Sequence, residues 1–222
     1  MIISVEKKQI RRAIIAFIVM LLLGLLVKIN FFFPIKVDEA IYNFFDKVQT
    51  PLGDVIMSIS TFLGEPTIDI IYAVVLSVIL VIARLKIPAM WVIATVLSGD
   101  VVGYILKHLF ARARPSGHLL TDSGFSFPSG HSLGITMIIM ILLILVIPNI
   151  NSSRTRMWLT WVLWTFGALT LMSRIYLKAH YFSDILSGAL LAYAWVILTA
   201  WCYPIVANYL KQKIPFFKNE EI

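Results

Sequence analysis

The chain has 222 residues, of which 59% are apolar or aromatic and only 14% are charged; 19 basic and 12 acidic residues give a formal charge of +7. Soluble domains are typically about 45–50% apolar and about 25% charged, and a fold of this size has too little interior to hide the excess. A water-soluble enzyme and a disordered chain are therefore excluded, and the single cysteine, Cys202, excludes a disulfide scaffold and a cysteine-based metal site. What remains is an integral membrane protein of one domain spanning residues 1–222.

The spans show where charges are missing. Residues 13–35 contain one charge, Lys28, and 70–83 contain none. Residues 87–106 contain only Asp100, and 132–153, 157–173 and 185–210 contain none. About 20 apolar residues cross a bilayer core as a helix, the form that satisfies its own backbone in lipid; the alternation of a barrel strand is absent. The expected fold is an all-α integral membrane bundle of six transmembrane helices, near 11–33, 66–85, 88–110, 131–148, 156–176 and 181–208. Pro66 and Pro88 stand near helix starts, and Pro115 and Pro148 just after helix ends. Lys7, Lys8, Arg11 and Arg12 precede the first span in the manner of a signal peptide. Its apolar run exceeds the roughly 7–15 residues of such a peptide and no small-residue cleavage site follows, so it is expected to be retained.

The connection 34–65 is long for a bundle. Within it Ile41, Phe44, Phe45 and Val48 recur at helical spacing beside Asp38, Glu39, Asp46 and Lys47. That pattern predicts an interfacial helix between spans one and two, serving either as a cap on the helix ends or in lipid access. Trp158, Trp161, Tyr203 and Tyr209 read as interface anchors.

An even number of spans puts both termini on one side, with Lys7, Lys8, Arg11, Arg12, Arg84, Lys86, Arg154, Arg156, Lys211, Lys213 and Lys218, which is 11 basic residues. The other side holds Lys28, Lys36, Lys47, Lys107, Arg112, Arg114, Arg174 and Lys178, which is 8. The bias makes residues 1–10 a cytoplasmic N-terminus, 34–65 an extracytoplasmic connection and 209–222 a cytoplasmic tail of a cell-membrane protein.

Three polar groupings fall on the extracytoplasmic side. In the first, Lys107 and Arg114 are seven apart, which two helical turns would place on one face. Two cations held together call for an anion, although snorkelling at a helix end would also explain them. In the second, Ser129, Gly130 and His131 open an apolar helix, whose first amides and dipole suit a phosphate; Ser129 is equally a helix N-cap. In the third, His180 and Asp184 are spaced i,i+4 and Arg174 precedes them. The carboxylate can orient the imidazole, and the guanidinium forks onto phosphate, where a lone His/Asp pair would be structural. Together these residues make a full inventory for phosphoryl transfer through histidine, with no metal and no cofactor called for.

These segments resemble the type 2 phosphatidic acid phosphatase family, membrane relatives of the vanadium haloperoxidases. Its signatures K-x6-R-P, P-S-G-H and S-R-x5-H-x3-D stand unbroken at 107–115, 128–131 and 173–184. The likeness extends to bacterial phosphatidylglycerophosphatase B-like and undecaprenyl-diphosphatase-like members. It implies His180 as nucleophile, Asp184 as its orienting carboxylate and His131 as general acid and base. Lys107, Arg114, Arg174, Ser129 and Gly130 are implied to bind the phosphate.

The remaining polar residues read more plainly. His108 lies outside the signatures, His118 reads as a loop residue, and Arg112 as a surface or headgroup contact. Asp100 lies inside a span and is expected to pair with Lys107 through water or with a polar group on a neighbouring helix. Thr170, Ser183 and Ser187 are expected to bond between helices. Gly99, Gly103, Gly134 and Gly188 are expected to allow close helix approach, and Cys202 to be a small buried apolar residue. The function expected is hydrolysis of a lipid phosphomonoester or diphosphate: phosphatidylglycerol phosphate, phosphatidic acid or undecaprenyl diphosphate. The alternatives are a phosphotransferase using the same site and a non-catalytic scaffold or anion transporter. The expected partners are the lipid substrate and the bilayer; no nucleic acid and no obligate protein partner are implied.

Overall fold

The computed structural model describes residues 3–117 and 123–218, and these form eight α-helices with no β-strand among the described residues. In chain order they are α1 Lys7–Lys28, α2 Phe32–Lys47, α3 Pro51–Leu63, α4 Pro66–Ile82, α5 Lys86–Phe110, α6 Gly130–Leu145, α7 Ser153–Tyr176 and α8 Phe182–Lys213. One-turn 3₁₀ helices follow α6 at Ile147–Asn149 and α8 at Pro215–Phe217. Among the described residues, four segments are long and apolar enough to cross a membrane: Lys7–Lys28, Lys86–Phe110, Gly130–Asn149 and Phe182–Lys213. α3 and α4 meet the same standard together, but they are bent by 50° at Gly64 and Glu65. The chain is thus an all-helical, multi-pass membrane protein.

The first helix departs from the expected 11–33. It begins at Lys7 because Glu6 and Gln9 form a capping box. It stops at Lys28 because the chain turns through Asn30, which is left-handed at φ 54°. The connection holds two helices where one was expected. Phe32 starts α2 early enough that Pro34 falls in its first turn, where a proline costs no hydrogen bond. Thr50 caps α3, its Oγ1 accepting from the Gly53 amide at 3.1 Å with Pro51 at the first position.

Helix α6 sits in the middle of the bundle, packed by α4, α5, α7 and α8. Ile135, Met137, Ile138, Ile139 and Ile141 are all buried, as expected of a helix that is apolar all round. The outer faces of α1, α4 and α7 are apolar as well: Ile15, Ile18, Leu22, Val74, Val78, Ile82, Trp158 and Trp161 are all exposed. Tyr209 is exposed near the end of α8 as an anchor would be, whereas Tyr203 is buried edge-on against Trp91 and belongs to the core. Cys202 is half-buried, not buried.

The four glycines lie at close contacts between elements. Two matter for the site. A Cβ on Gly134 would meet Asp69 Oδ2 at 2.2 Å, so any larger residue there would have to displace the Asp69 carboxyl. A Cβ on Gly188 would meet the Ser129 carbonyl oxygen at 2.5 Å, a backbone atom at the start of α6.

Gly188→Ala is therefore expected to push α8 away from the entry to α6. Overpacking of this kind typically costs about 1–3 kcal/mol. Thermal unfolding of the detergent-solubilised protein should show a lower Tm; an unchanged Tm would mean the two helices are not locked there.

Candidate active site

The helix ends that carry the three groupings meet at one end of the bundle. Ser129 caps α6, its Oγ accepting from the Ser132 amide at 3.4 Å, while its own amide donates to the Asp184 carbonyl at 3.0 Å. The loop before α6 is thereby sewn to the first turn of α8. The Phe127–Pro128 bond is cis, and the fully buried Phe127 ring stands edge-on to Phe110 at the end of α5, 5.0 Å between centroids. Gly130 and His131 open α6 and are half-buried; a helix has no internal acceptors for its first amides.

The turn between α7 and α8 folds back on itself. Lys178 is left-handed at φ 58°, which lets the Ala179 and His180 amides both donate to the Arg174 carbonyl at 3.0 Å. His180 precedes α8 rather than lying on it, and Tyr181 is the N-cap. Asp184, in the first turn, accepts from the Tyr181 amide at 2.9 Å through Oδ2. The same oxygen lies 3.5 Å from His180 Nδ1, at the outer edge of hydrogen-bond reach. The i,i+4 spacing thus yields proximity by a cap and a turn, not by one helical turn.

Arg114 approaches the other face of the imidazole, with Nη1 at 3.2 Å from His180 Nε2 and 3.0 Å from the Ala179 carbonyl. Its remaining nitrogens donate to the Gly124 and Ser123 carbonyls, each at 3.2 Å. A guanidinium can only donate, so Nε2 is the acceptor and the neutral ring carries its proton on Nδ1, toward Asp184. Burial pushes the pKa of His180 down to about 4, opposed by Asp184 and reinforced by Arg174 and Arg114.

The expectation that Lys107 and Arg114 share a helical face is not met. α5 ends at Phe110, and Ala111 turns left-handed at φ 50°, so helical periodicity stops three residues short of Arg114. Lys107 remains half-buried in the last turn of α5. Arg174 is fully buried at the end of α7 and donates to Thr61 Oγ1 of α3 at 2.5 Å, an anchor from a helix that sequence reasoning did not recognise.

Arg112 is not a surface residue. Its side chain is only 10% exposed, and its Nη1 donates to Asp184 Oδ1 at 2.6 Å and to Ser183 Oγ at 2.7 Å. Its Nη2 donates to Asp38 Oδ2 at 2.7 Å, and the guanidinium carbon stacks 4.0 Å over the Tyr181 ring. Asp38 of α2 is buried as well and accepts from the Ser183 amide at 2.9 Å and the Ser183 hydroxyl at 2.6 Å. The signal was available: 34, 38, 41 and 45 share one helical register, so Asp38 belongs on the inward stripe. Phe44 and Val48 turn outward instead.

The other polar residues sort as follows. His108 is exposed and stacked on Tyr104 at 4.2 Å, and His118 lies outside the described residues. Asp100 is half-buried on α5, near Asp69 of α4. Thr170 donates to the Ser60 carbonyl at 3.3 Å and Ser183 to Asp38, both between helices. Ser187 Oγ is buried with no hydrogen-bond partner among the described residues.

The family model described as the PAP2 superfamily matches residues 88–207, more than half of the chain. The chain belongs to that superfamily. Two solved structures resemble it: a transmembrane PAP2-type phosphatidylglycerolphosphate phosphatase from Bacillus subtilis, and LpxE from Aquifex aeolicus. The first is 23% identical with a TM-score of 0.63, covering 91% of this chain and 97% of its own. The second is 22% identical with a TM-score of 0.56, covering 74% of this chain and 92% of its own. At these identities the likeness is one of fold. No curated protein matches the chain.

A histidine whose pKa is lowered on folding leaves the unfolded chain holding more protons below the ordinary value. The stability it lends is complete above about pH 6.5 and is lost as the pH falls toward 4. Nitrogen-15 NMR of the histidine rings should find His180 neutral, with its proton on Nδ1, at pH 5.5. A protonated ring there would contradict the site geometry.

Proposed function

We propose that the chain is a membrane lipid phosphatase that hydrolyses a phosphomonoester or diphosphate headgroup through a phosphohistidine on His180. One observation carries the reading: the buried His180 ring has Nδ1 facing Asp184 and Nε2 facing an arginine, an arrangement that favours a neutral imidazole with its proton on Nδ1. That is the state a nitrogen nucleophile needs, and an anion entering beside Arg114 would meet it.

In this scheme His180 Nε2 attacks phosphorus in line, forming an N–P bond as the P–O bond to the lipid breaks. His131 gives its proton to the departing oxygen. It then takes one from water, which attacks phosphorus and releases the imidazole. Asp184 stabilises the charge that develops on the ring. Lys107, Arg114, Arg174 and the amides about Ser129 and Gly130 hold the equatorial oxygens. The cations and amides supply the charge stabilisation, so the scheme runs without a metal.

We read α1, α4, α5, α6, α7 and α8 as six crossings of one domain, with α2 and α3 lying at the headgroup level of the outer face. Both termini are cytoplasmic in the cell membrane, and the site faces outward. The basic bias of residues 1–12, 84–86, 154–156 and 211–218 supports that orientation. Phosphatidylglycerol phosphate, phosphatidic acid and undecaprenyl diphosphate are the substrates proposed.

Purified protein should release phosphate from at least one of these lipids in the presence of EDTA and be inhibited by vanadate. Dependence on a divalent metal would overturn the scheme. His180→Ala should leave less than a few per cent of the activity in a folded protein, and His131→Ala should cost about 10²–10⁴-fold. Label recovered in an organic acceptor in place of free phosphate would reassign the enzyme to phosphotransfer. A reporter fused to the C-terminus should behave as cytoplasmic; the opposite result would invert the topology.

A further inference from the structure

Resting on the phosphatase reading, the geometry points to Arg112 and Asp38 as positioning residues for the nucleophile: Asp38 of α2 holds Arg112, and Arg112 holds Asp184 against His180. Neither residue belongs to the three signatures that carry the resemblance. The connections are direct. Arg112 spends one nitrogen on Asp184 Oδ1 and Ser183 Oγ and another on Asp38 Oδ2, all within 2.6–2.7 Å. Asp184 is left with Oδ2 facing His180 Nδ1 and the Tyr181 amide. Without the clamp, a carboxylate can rotate about its last bond; with it, the plane is set and the imidazole follows.

Charge supports the same assignment. Asp38 and Asp184 are buried, the Arg112 side chain is 10% exposed, and the three sum to one negative charge. That surplus sits behind Nδ1, where positive charge grows as Nε2 attacks phosphorus. Arg114 meets Nε2 on the opposite edge of the ring, the Arg174 charge also acts on the ring, and Tyr181 stacks on Arg112. A purely structural triad would need no such surplus, and buried ion pairs are poor stabilisers in themselves. Asp38 also makes α2 part of the site, since its carboxylate binds both the amide and the hydroxyl of Ser183.

The two partners carry opposite charges, so their removal has opposite effects on the ring. Asp38→Asn removes the surplus negative charge, leaving Arg112 balanced by Asp184 alone, and makes His180 harder to protonate. Arg112→Gln exposes His180 to two carboxylates and makes it easier to protonate. Nitrogen-15 NMR of His180 should therefore show its titration midpoint moving down in the first variant and up in the second. In phosphate-release assays each variant should lose roughly 10- to 100-fold in kcat with KM changed less than about threefold, because neither residue touches the phosphate. The double variant should lose less than the product of the two single losses, since Asp38 acts in part through Arg112.

Size-exclusion profiles and circular dichroism in detergent report folding. Where either variant fails to fold, Asp38→Glu and Arg112→Lys take its place. They keep the charge and change the geometry, so kcat should fall with the His180 midpoint unmoved. Midpoints shifting in the same direction, unchanged kcat, or additive losses in the double variant would overturn the assignment. A wild-type protein that releases no phosphate from any lipid would instead sink the phosphatase reading, while the NMR arm would still decide whether the three charges are coupled to His180.

Discussion

A carboxylate buried at the mouth of a membrane helix is the constraint on which the rest of this structure depends. Asp184 is wholly inaccessible, in a chain whose surroundings are mostly lipid or apolar side chain. An ionised group in such a place needs a partner for each oxygen. Oδ2 takes the Tyr181 amide and faces His180; Oδ1 takes Arg112. The position within α8 helps, because the first turn of a helix favours negative charge. Each solution creates a further demand. Burying Arg112 requires a second acid, which comes from α2, and holding α2 in place requires that it pack on α7 and α8. The segment that links the first two apolar spans is therefore part of the architecture of the site.

What the sequence disclosed follows from this. Apolar runs are long and charge-free, so the all-helical, multi-pass character and the approximate positions of the long helices were legible, and the signature residues stood out because their types and spacings are unusual together. The helix ends were less so. α5 stops at Ala111 and α7 at Lys178, both left-handed without a glycine, and nothing about an alanine or a lysine advertises that conformation. Because α5 stops there, Arg114 left the helix, and a spacing of seven lost its meaning. α3 was missed because 13 residues between a threonine cap and a glycine are too few to look like a span. With it went Thr61, whose hydroxyl anchors Arg174. Asp38 was read only as one of the charged residues beside the apolar positions of its helix, although its register placed it inward. The charge of a side chain proved a poorer guide than its phase.

Two arginines separated by one alanine show how little spacing says about role. Arg112 and Arg114 bracket the same His180–Asp184 pair from opposite ends. One guanidinium binds the carboxylate behind the ring and the other meets Nε2 in front of it. Had both faced the front, the carboxylate would stand unneutralised in the interior. Had both faced the back, Nε2 would lose the guanidinium that now meets it. The left-handed turn at Ala111 releases the chain from the helix just before Arg112, so both side chains can reach the pair.

That division also bears on the orientation proposed for the chain in the membrane. Eleven basic residues lie on the side assigned to the cytoplasm and eight on the other, a weak bias. Lys107, Arg114 and Arg174 belong to the candidate site, and Arg112 now joins them as an internal counter-charge, leaving Lys28, Lys36, Lys47 and Lys178 as 8 − 4 = 4. Three of those four are also engaged. Lys28 donates to the Leu109 carbonyl at the end of α5, Lys36 pairs with Glu39, and Lys178 pairs with Asp46. A basic residue held by a carbonyl or a carboxylate of its own fold is accounted for by that fold. The rule that reads topology from basic residues concerns those whose placement the fold does not already explain. Setting the site residues aside turns a bias of eleven to eight into one of eleven to four, in the same direction.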